Sequence, residues 1–238
     1  MDDLELRLMT GIDIPYPKLQ ISIRQPLVRE IAYMGESSFF SALSVLCLTK
    51  KKFEENPQIA ATPLFELVMT AITETKDVEK KNNIINLMTL LFPDYKIMFT
   101  KNSIILNKPE EKFIAVIDAN NFDEIQKLFK LILGVKEKDE NGGYNPASPL
   151  AQKIVDKLMK GREKIAAQKP NAEGSSLSRY MSVLAVGLHF TPDAISNMTL
   201  YQFYNIVGRF YTKISWDLSF QVRLAGEKPK DESKDWLS

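Results

Sequence analysis

Apolar positions recur with a helical period along the stretch from Met198 to Gly226. Leu200, Phe203, Val207, Phe210, Ile214 and Leu218 return every three to four residues, and Tyr204 and Tyr211 widen the stripe. Thr199 and Gln202 have the spacing of a capping box, in which the hydroxyl accepts one orphan amide and the Gln side chain reaches back. Met198 and Phe203 stand where a hydrophobic staple fixes the entry angle of the chain. Gly226 is placed to end the helix in the left-handed conformation. The pattern predicts a long amphipathic helix that needs a partner surface.

Shorter signals precede it. Leu4 to Met9 alternates weakly, as a short strand does, and Ile12 to Pro17 reads as a proline-punctuated turn. Leu19, Ile21 and Ile23 alternate with polar residues and predict a strand stopped by Pro26. Leu27 to Met34 reads as a short helix, and after Gly35 a second helix carries Phe39, Phe40, Leu43, Leu46 and Cys47. Thr62-Pro63 starts another, with Leu64, Leu67, Val68, Ala71 and Ile72 as its buried stripe. Asp77 caps the next, which carries Ile84, Leu87, Met88 and Leu91 and stops at Pro93. Tyr95, Ile97 and Phe99 pair with Ile104 to Leu106 as a hairpin, and Phe113 to Ile117 adds a third strand. Asn121 and Glu124 resemble a second capping pair, opening a helix with Ile125, Leu128, Phe129 and Ile132 inside and Gly134 as its stop.

From Val135 to Ala147 the composition turns to charge, glycine and asparagine, which marks a boundary. The expected division is an α+β N-terminal domain over 1–135, a linker over 136–147, a helical C-terminal domain over 148–226 and a flexible charged tail over 227–238. In the C-terminal part Ser148-Pro149 opens a basic helix, Leu177 to Leu188 a second, and Thr191-Pro192-Asp193 caps a short third. The predicted fold class is α+β, mainly helical, with a small antiparallel sheet in the N-terminal part and a helical C-terminal part.

Composition narrows the chemistry. The net charge of +1 over 238 residues gives no global field for nucleic acid or an anionic membrane. The longest uncharged stretch, Ala194 to Gly208, is too short and too polar to span a bilayer, and the acidic N-terminus lacks the apolar core of a secretory leader. The one cysteine, Cys47, lies in an apolar run, as a buried structural thiol does. The one histidine, His189, has no neighbours at ligand spacing, and no glycine-rich phosphate loop occurs. No catalytic residue, metal site or cofactor is expected, and an enzyme is the least expected reading.

Two binding elements remain open. The basic helix carries Lys153, Lys157, Lys160, Arg162 and Lys164, a plausible phosphate-binding face. Asp156 and Glu163 interrupt it and no aromatics are interleaved, so a merely solvated face fits as well and a nucleic-acid partner is not expected. The aromatic cluster Tyr201, Phe203, Tyr204, Phe210, Tyr211, Trp216 and Phe220 exceeds what one helix face easily buries. Its use is either core packing or an exposed partner surface, with Tyr201, Tyr211 and Phe220 expected to stay exposed. The terminal Trp236-Leu237 pair either docks back on the protein or inserts into a partner.

Four segments carry a family likeness. They are Gln25-Pro26 through Arg29-Glu30-Ile31 to Gly35-Glu36; Tyr144-Asn145-Pro146-Ala147 with Lys160-Gly161-Arg162; Thr199-Leu200-Tyr201-Gln202-Phe203-Tyr204; and Trp216-Asp217 with Leu224-Ala225-Gly226 and Asp235-Trp236-Leu237. Together they resemble tail assembly chaperones of tailed, siphovirus-type bacteriophages from Gram-positive hosts; the stretch from Lys50 to Lys112 carries no match. The resemblance implies a non-enzymatic factor that binds the tape-measure protein, a very long helical chain, and keeps it soluble while tail-tube subunits polymerise around it. It also implies action in the host cytoplasm, with the tail-tube protein as a further possible partner, and self-association is possible. The alternatives are a structural virion protein at a tail or neck interface and a nucleic-acid-binding regulator using the basic helix.

Overall fold

The computed structural model describes residues 2–49, 61–135 and 175–226. These residues form an α+β fold, predominantly helical, with two small antiparallel sheets in the N-terminal part and helices in the C-terminal part.

The chain opens with helix α1 (Asp2–Thr10), not the strand expected from the alternation of Leu4, Leu6 and Leu8. Acidic residues in its first turn complement the helix dipole, and Asp3 pairs with Arg7 one turn on at 3.4 Å. Leu8 is buried and Leu4 packs beside it, whereas Leu6 faces solvent. The proline-rich turn holds a strand, β1 (Ile14–Tyr16), which pairs with β2 (Ile21–Ile23) in the register Ile14↔Ile23 and Tyr16↔Ile21. Those four side chains are the buried ones, while Leu19 ends a 3-10 turn instead of starting β2.

Helices α2 (Val28–Met34) and α3 (Glu36–Leu46) meet at Gly35, whose φ of +91° turns the chain at a position where a Cβ is strained. The Arg24 guanidinium forks onto Glu30 at 2.8 and 3.0 Å, and Glu30 also accepts from the Leu27 amide at 2.9 Å. Burial alone raises the Glu30 pKa, but these hydrogen bonds win and hold it below its usual value.

Helix α4 (Leu64–Thr73) starts at Pro63 as expected, yet buries Phe65, Val68, Met69 and Ile72. Its stripe is rotated from the expected one because Phe65 packs on Phe122, with ring centroids 5.1 Å apart. Helix α5 (Val78–Leu91) is capped by Asp77, which accepts from the Lys80 amide, and it buries the four expected apolar residues Ile84, Leu87, Met88 and Leu91. Strands β3 (Lys96–Phe99), β4 (Ile104–Lys108) and β5 (Phe113–Ile117) form the expected antiparallel sheet, with Ile104, Leu106, Ala115 and Ile117 inward.

Helix α6 (Phe122–Ile132) buries Ile125, Phe129 and Ile132, but Asn121 does not cap it. Its amide instead closes the turn after β5, accepting from the Asp118 amide and donating to the Val116 carbonyl. Glu124 is taken by the Tyr16 hydroxyl and Lys18, both 2.8 Å from Oε2.

Helices α7 (Ser176–Leu188), α8 (Pro192–Ser196) and α9 (Leu200–Leu224) complete the described chain. Leu177, Leu184, Ile195, Leu200, Phe203 and Val207 belong to the same buried core as the N-terminal elements. The backbone itself is stitched across that distance. Val28 donates to the Met198 carbonyl and Leu200 donates to the Pro26 carbonyl, both at 3.0 Å. The expected linker over 136–147, the basic helix with Lys153, Lys157, Lys160, Arg162 and Lys164, and the tail with Trp236 and Leu237 lie outside the described residues.

Candidate partner-binding helix

Helix α9 begins as its sequence signals require. Thr199 Oγ1 accepts from the Gln202 amide at 3.2 Å, and Gln202 Oε1 accepts from the Thr199 amide at 2.8 Å, which closes the capping box. The Gln202 Nε2 group then donates to the Met9 carbonyl at 2.7 Å, so the cap also satisfies the C-terminal end of α1. At the other end Gly226 takes φ +81° and its amide donates to the Arg223 carbonyl.

Between these ends the helix divides in two. Leu200, Phe203 and Val207 are buried, and Tyr201, Tyr204 and Ile206 pack against the core. Burial of each such large apolar side chain is worth roughly 1.5–3 kcal/mol. Beyond Val207 no residue of the helix is buried. Phe210 lies over Gly187 of α7; a Cβ at Gly187 would come within 2.2 Å of the ring. Tyr211, Ile214, Leu218, Phe220 and Leu224 are exposed, Leu218 at 57% and Leu224 at 73%. About four turns, roughly 21 Å of helix, therefore carry apolar side chains into solvent.

The aromatic cluster splits along the same line. Phe203 is fully buried and serves the core rather than a surface, and Tyr201, expected to be exposed, is half-buried against the core. Tyr204 fills the space beside Gly134, where a Cβ would approach its ring to 2.7 Å. Burial, then the Glu36 carboxylate and Tyr180, push the Tyr204 hydroxyl up to about 12. Tyr211 and Phe220 are exposed as expected. Trp216 and Phe220 stack on each other, centroids 5.6 Å and planes 6° apart, and neither packs against the core.

Glu36, at the start of α3, ties that helix to the N-terminus of α7. Its carboxylate accepts from the Ser176 hydroxyl and, at 3.0 Å, from the Ser176 amide at the N-terminus of α7. Burial raises the Glu36 pKa, but the hydrogen bonds from Ser175, Ser176 and the Leu177 amide outweigh it and hold the group below its ordinary value.

Elsewhere the described residues offer little reactive chemistry. Cys47 is buried, and desolvation, opposed by Lys130, pushes its thiol up to about 12, away from the thiolate a nucleophile needs. His189 is exposed and ends α7 in the left-handed conformation. A polar cleft of about 360 Å³ lies between the β1–β2 hairpin and the three-stranded sheet, lined by residues that include Asp13, Arg24, Asp94 and Lys108. Its two cations already have carboxylate partners, Glu30 for Arg24 and Glu111 for Lys108. Among the described residues no cluster of three or more His, Cys, Asp or Glu could hold a metal, and no helix is long and apolar enough to cross a membrane.

Comparison with protein-family models, curated proteins and solved structures finds no match. Among the described residues, the exposed half of α9 is the feature that asks most plainly for a partner. Residues that the sequence reading did not single out also line it. Arg209, Lys213 and Arg223 share a face with Trp216 and Phe220, and their signal was the spacing itself.

Proposed function

We propose that this chain is a non-enzymatic tail assembly chaperone that holds a helical client, the tape-measure protein, in solution in the host cytoplasm while the tail tube polymerises. The observation that carries the reading is the exposed half of α9. Past Val207 it exposes Tyr211, Ile214 and Leu218 along the stripe and Phe220 across the helix, with Trp216 half-buried in its stack on Phe220. A helix apolar on more than one face is ordinarily surrounded by other structure. Helix-in-groove recognition uses such anchors at three- and four-residue spacing, so a long amphipathic client has a surface to meet. The order of the four family-like segments along the chain supports the same reading.

Co-expression with a candidate tape-measure protein tests the proposal. The soluble fraction of the client should rise with the wild-type chain and return to the baseline with Ile214→Glu/Leu218→Glu, a variant that leaves the buried core untouched. An unchanged soluble fraction with the wild type overturns the capture model. Recovery of the chain in stoichiometric amount from purified virions overturns the transient role in favour of a structural one.

A further inference from the structure

Across α9 from the apolar stripe runs a second ridge. Arg209, Lys213, Trp216, Phe220 and Arg223 follow one another in steps of four, three, four and three residues. That alternation is the period that keeps one helix seam facing another helix. At helical geometry the five positions fall within on the order of 80° of one another, on the side away from Ile214 and Leu218. The Trp216–Phe220 stack forms a plate at the centre of the ridge, with Arg209 and Lys213 before it and Arg223 after it. Asp217, at the ridge's edge, binds Lys213 at 2.8 Å, and Arg209 Nε donates to the neutral Asn205 Oδ1 at 3.2 Å. The last turns of α9 therefore carry an aromatic centre between cationic ends.

We propose that this ridge docks an α-helical segment of a partner whose apolar centre is flanked at both ends by carboxylates. The inference rests on the client reading above and narrows the client's chemistry to an acidic-flanked helix. Charge selects this occupant over a second copy of the chain. An antiparallel copy crossing at Trp216 sets Arg209 against Arg223, and a parallel copy in register sets each cation against itself; both oppose like charges. Carboxylates two turns to either side of an apolar centre neutralise the same groups. The helical period favours a helix over a nucleic-acid strand, whose bases and phosphates have no reason to follow it.

The test uses the full chain and fluorescein-labelled helical peptides with one apolar seam, flanked by Glu, Gln or Lys, read by fluorescence anisotropy at low salt. A labelled single-stranded DNA oligonucleotide serves as the competing class. The Glu-flanked peptide should bind on the order of fivefold to tenfold more tightly than the Gln-flanked one, as two exposed ion pairs allow, with the advantage shrinking in salt. Arg209→Glu/Arg223→Glu, at two exposed positions, should reverse the preference toward the Lys-flanked peptide with the circular dichroism spectrum unchanged. Equal binding of all three peptides, or an unchanged preference in the variant, overturns the ridge's role and leaves the client reading standing. Tighter binding of the oligonucleotide than of any peptide overturns it in favour of nucleic acid. Failure of every peptide overturns the ridge alone if co-expression still raises client solubility, and both readings if it does not.

Discussion

The two halves of α9 share one helix and one apolar period but meet different fates. In the first, Leu200, Phe203 and Val207 enter a core that α1 and α6 help to form. In the second, Ile214 and Leu218 continue the same stripe into solvent. The change comes around Gly208, which has nothing within 4 Å of a Cβ position and is followed by Phe210, whose ring lies over Gly187. Periodicity states which face of a helix is apolar; it does not state how far along the helix a neighbour reaches. The first half is held by burial and the second by its own backbone ladder and pairs such as Lys213–Asp217. An exposed pair of that kind adds at most a few tenths of a kcal/mol.

The sharpest way to break this comparison is truncation on each side of Gly208. Phe203→Ala removes a fully buried ring and should cost about 3–5 kcal/mol in urea unfolding. Leu218→Ala should stay within about 0.5 kcal/mol of the wild type. Comparable losses at the two sites would mean that the second half is covered within the chain.

One substitution in two places gives the next largest contrast. Gly187→Ala drives a methyl into the Phe210 ring and should destabilise by about 1–3 kcal/mol. Gly208→Ala meets open space and should stabilise the helix by up to about 1 kcal/mol. Thermal melting of both variants reads the difference directly, and a loss at Gly208→Ala would place an unseen neighbour there.

The cap and the carboxylate brace give smaller effects. Thr199→Ala opens the capping box and should cost about 1 kcal/mol, all of it on the docked half. Glu36 has a folded-state pKa below its ordinary value of 4.5. Its contribution is therefore present in full above about pH 4.5 and lost as the pH falls through the depressed folded-state value. Melting temperatures from about pH 6 to about pH 3 should fall less steeply for Glu36→Gln than for the wild type, from a lower starting point. Parallel slopes would remove Glu36 from the brace.

The elements legible in the sequence were those whose signals are local. The Thr199–Gln202 box, the Asp77 cap, the left-handed Gly226 and Gly134, and the hairpin with its third strand all depend on residues a few positions apart. The misreadings are places where distant packing decides. Leu4, Leu6 and Leu8 alternate like a strand, but Leu4 and Leu8 need only one shared helix face. The stripe of α4 is set by Phe122, and Glu124 leaves its expected cap to meet Tyr16 and Lys18.

By itself the sequence determined that α9 is a long capped helix with more aromatic side chains than one face holds, because period, caps and composition are properties of the chain. Only the tertiary structure decided which of those aromatics are spent on the core. Gln202 reaches the Met9 carbonyl, Met198 pairs with Val28 and Leu200 with Pro26, and Phe210 lies over Gly187. Each of these contacts joins residues far apart in sequence, or in separate helices, and no local pattern records where the neighbouring surface ends. The exposed turns from Tyr211 to Leu224 begin where that surface runs out.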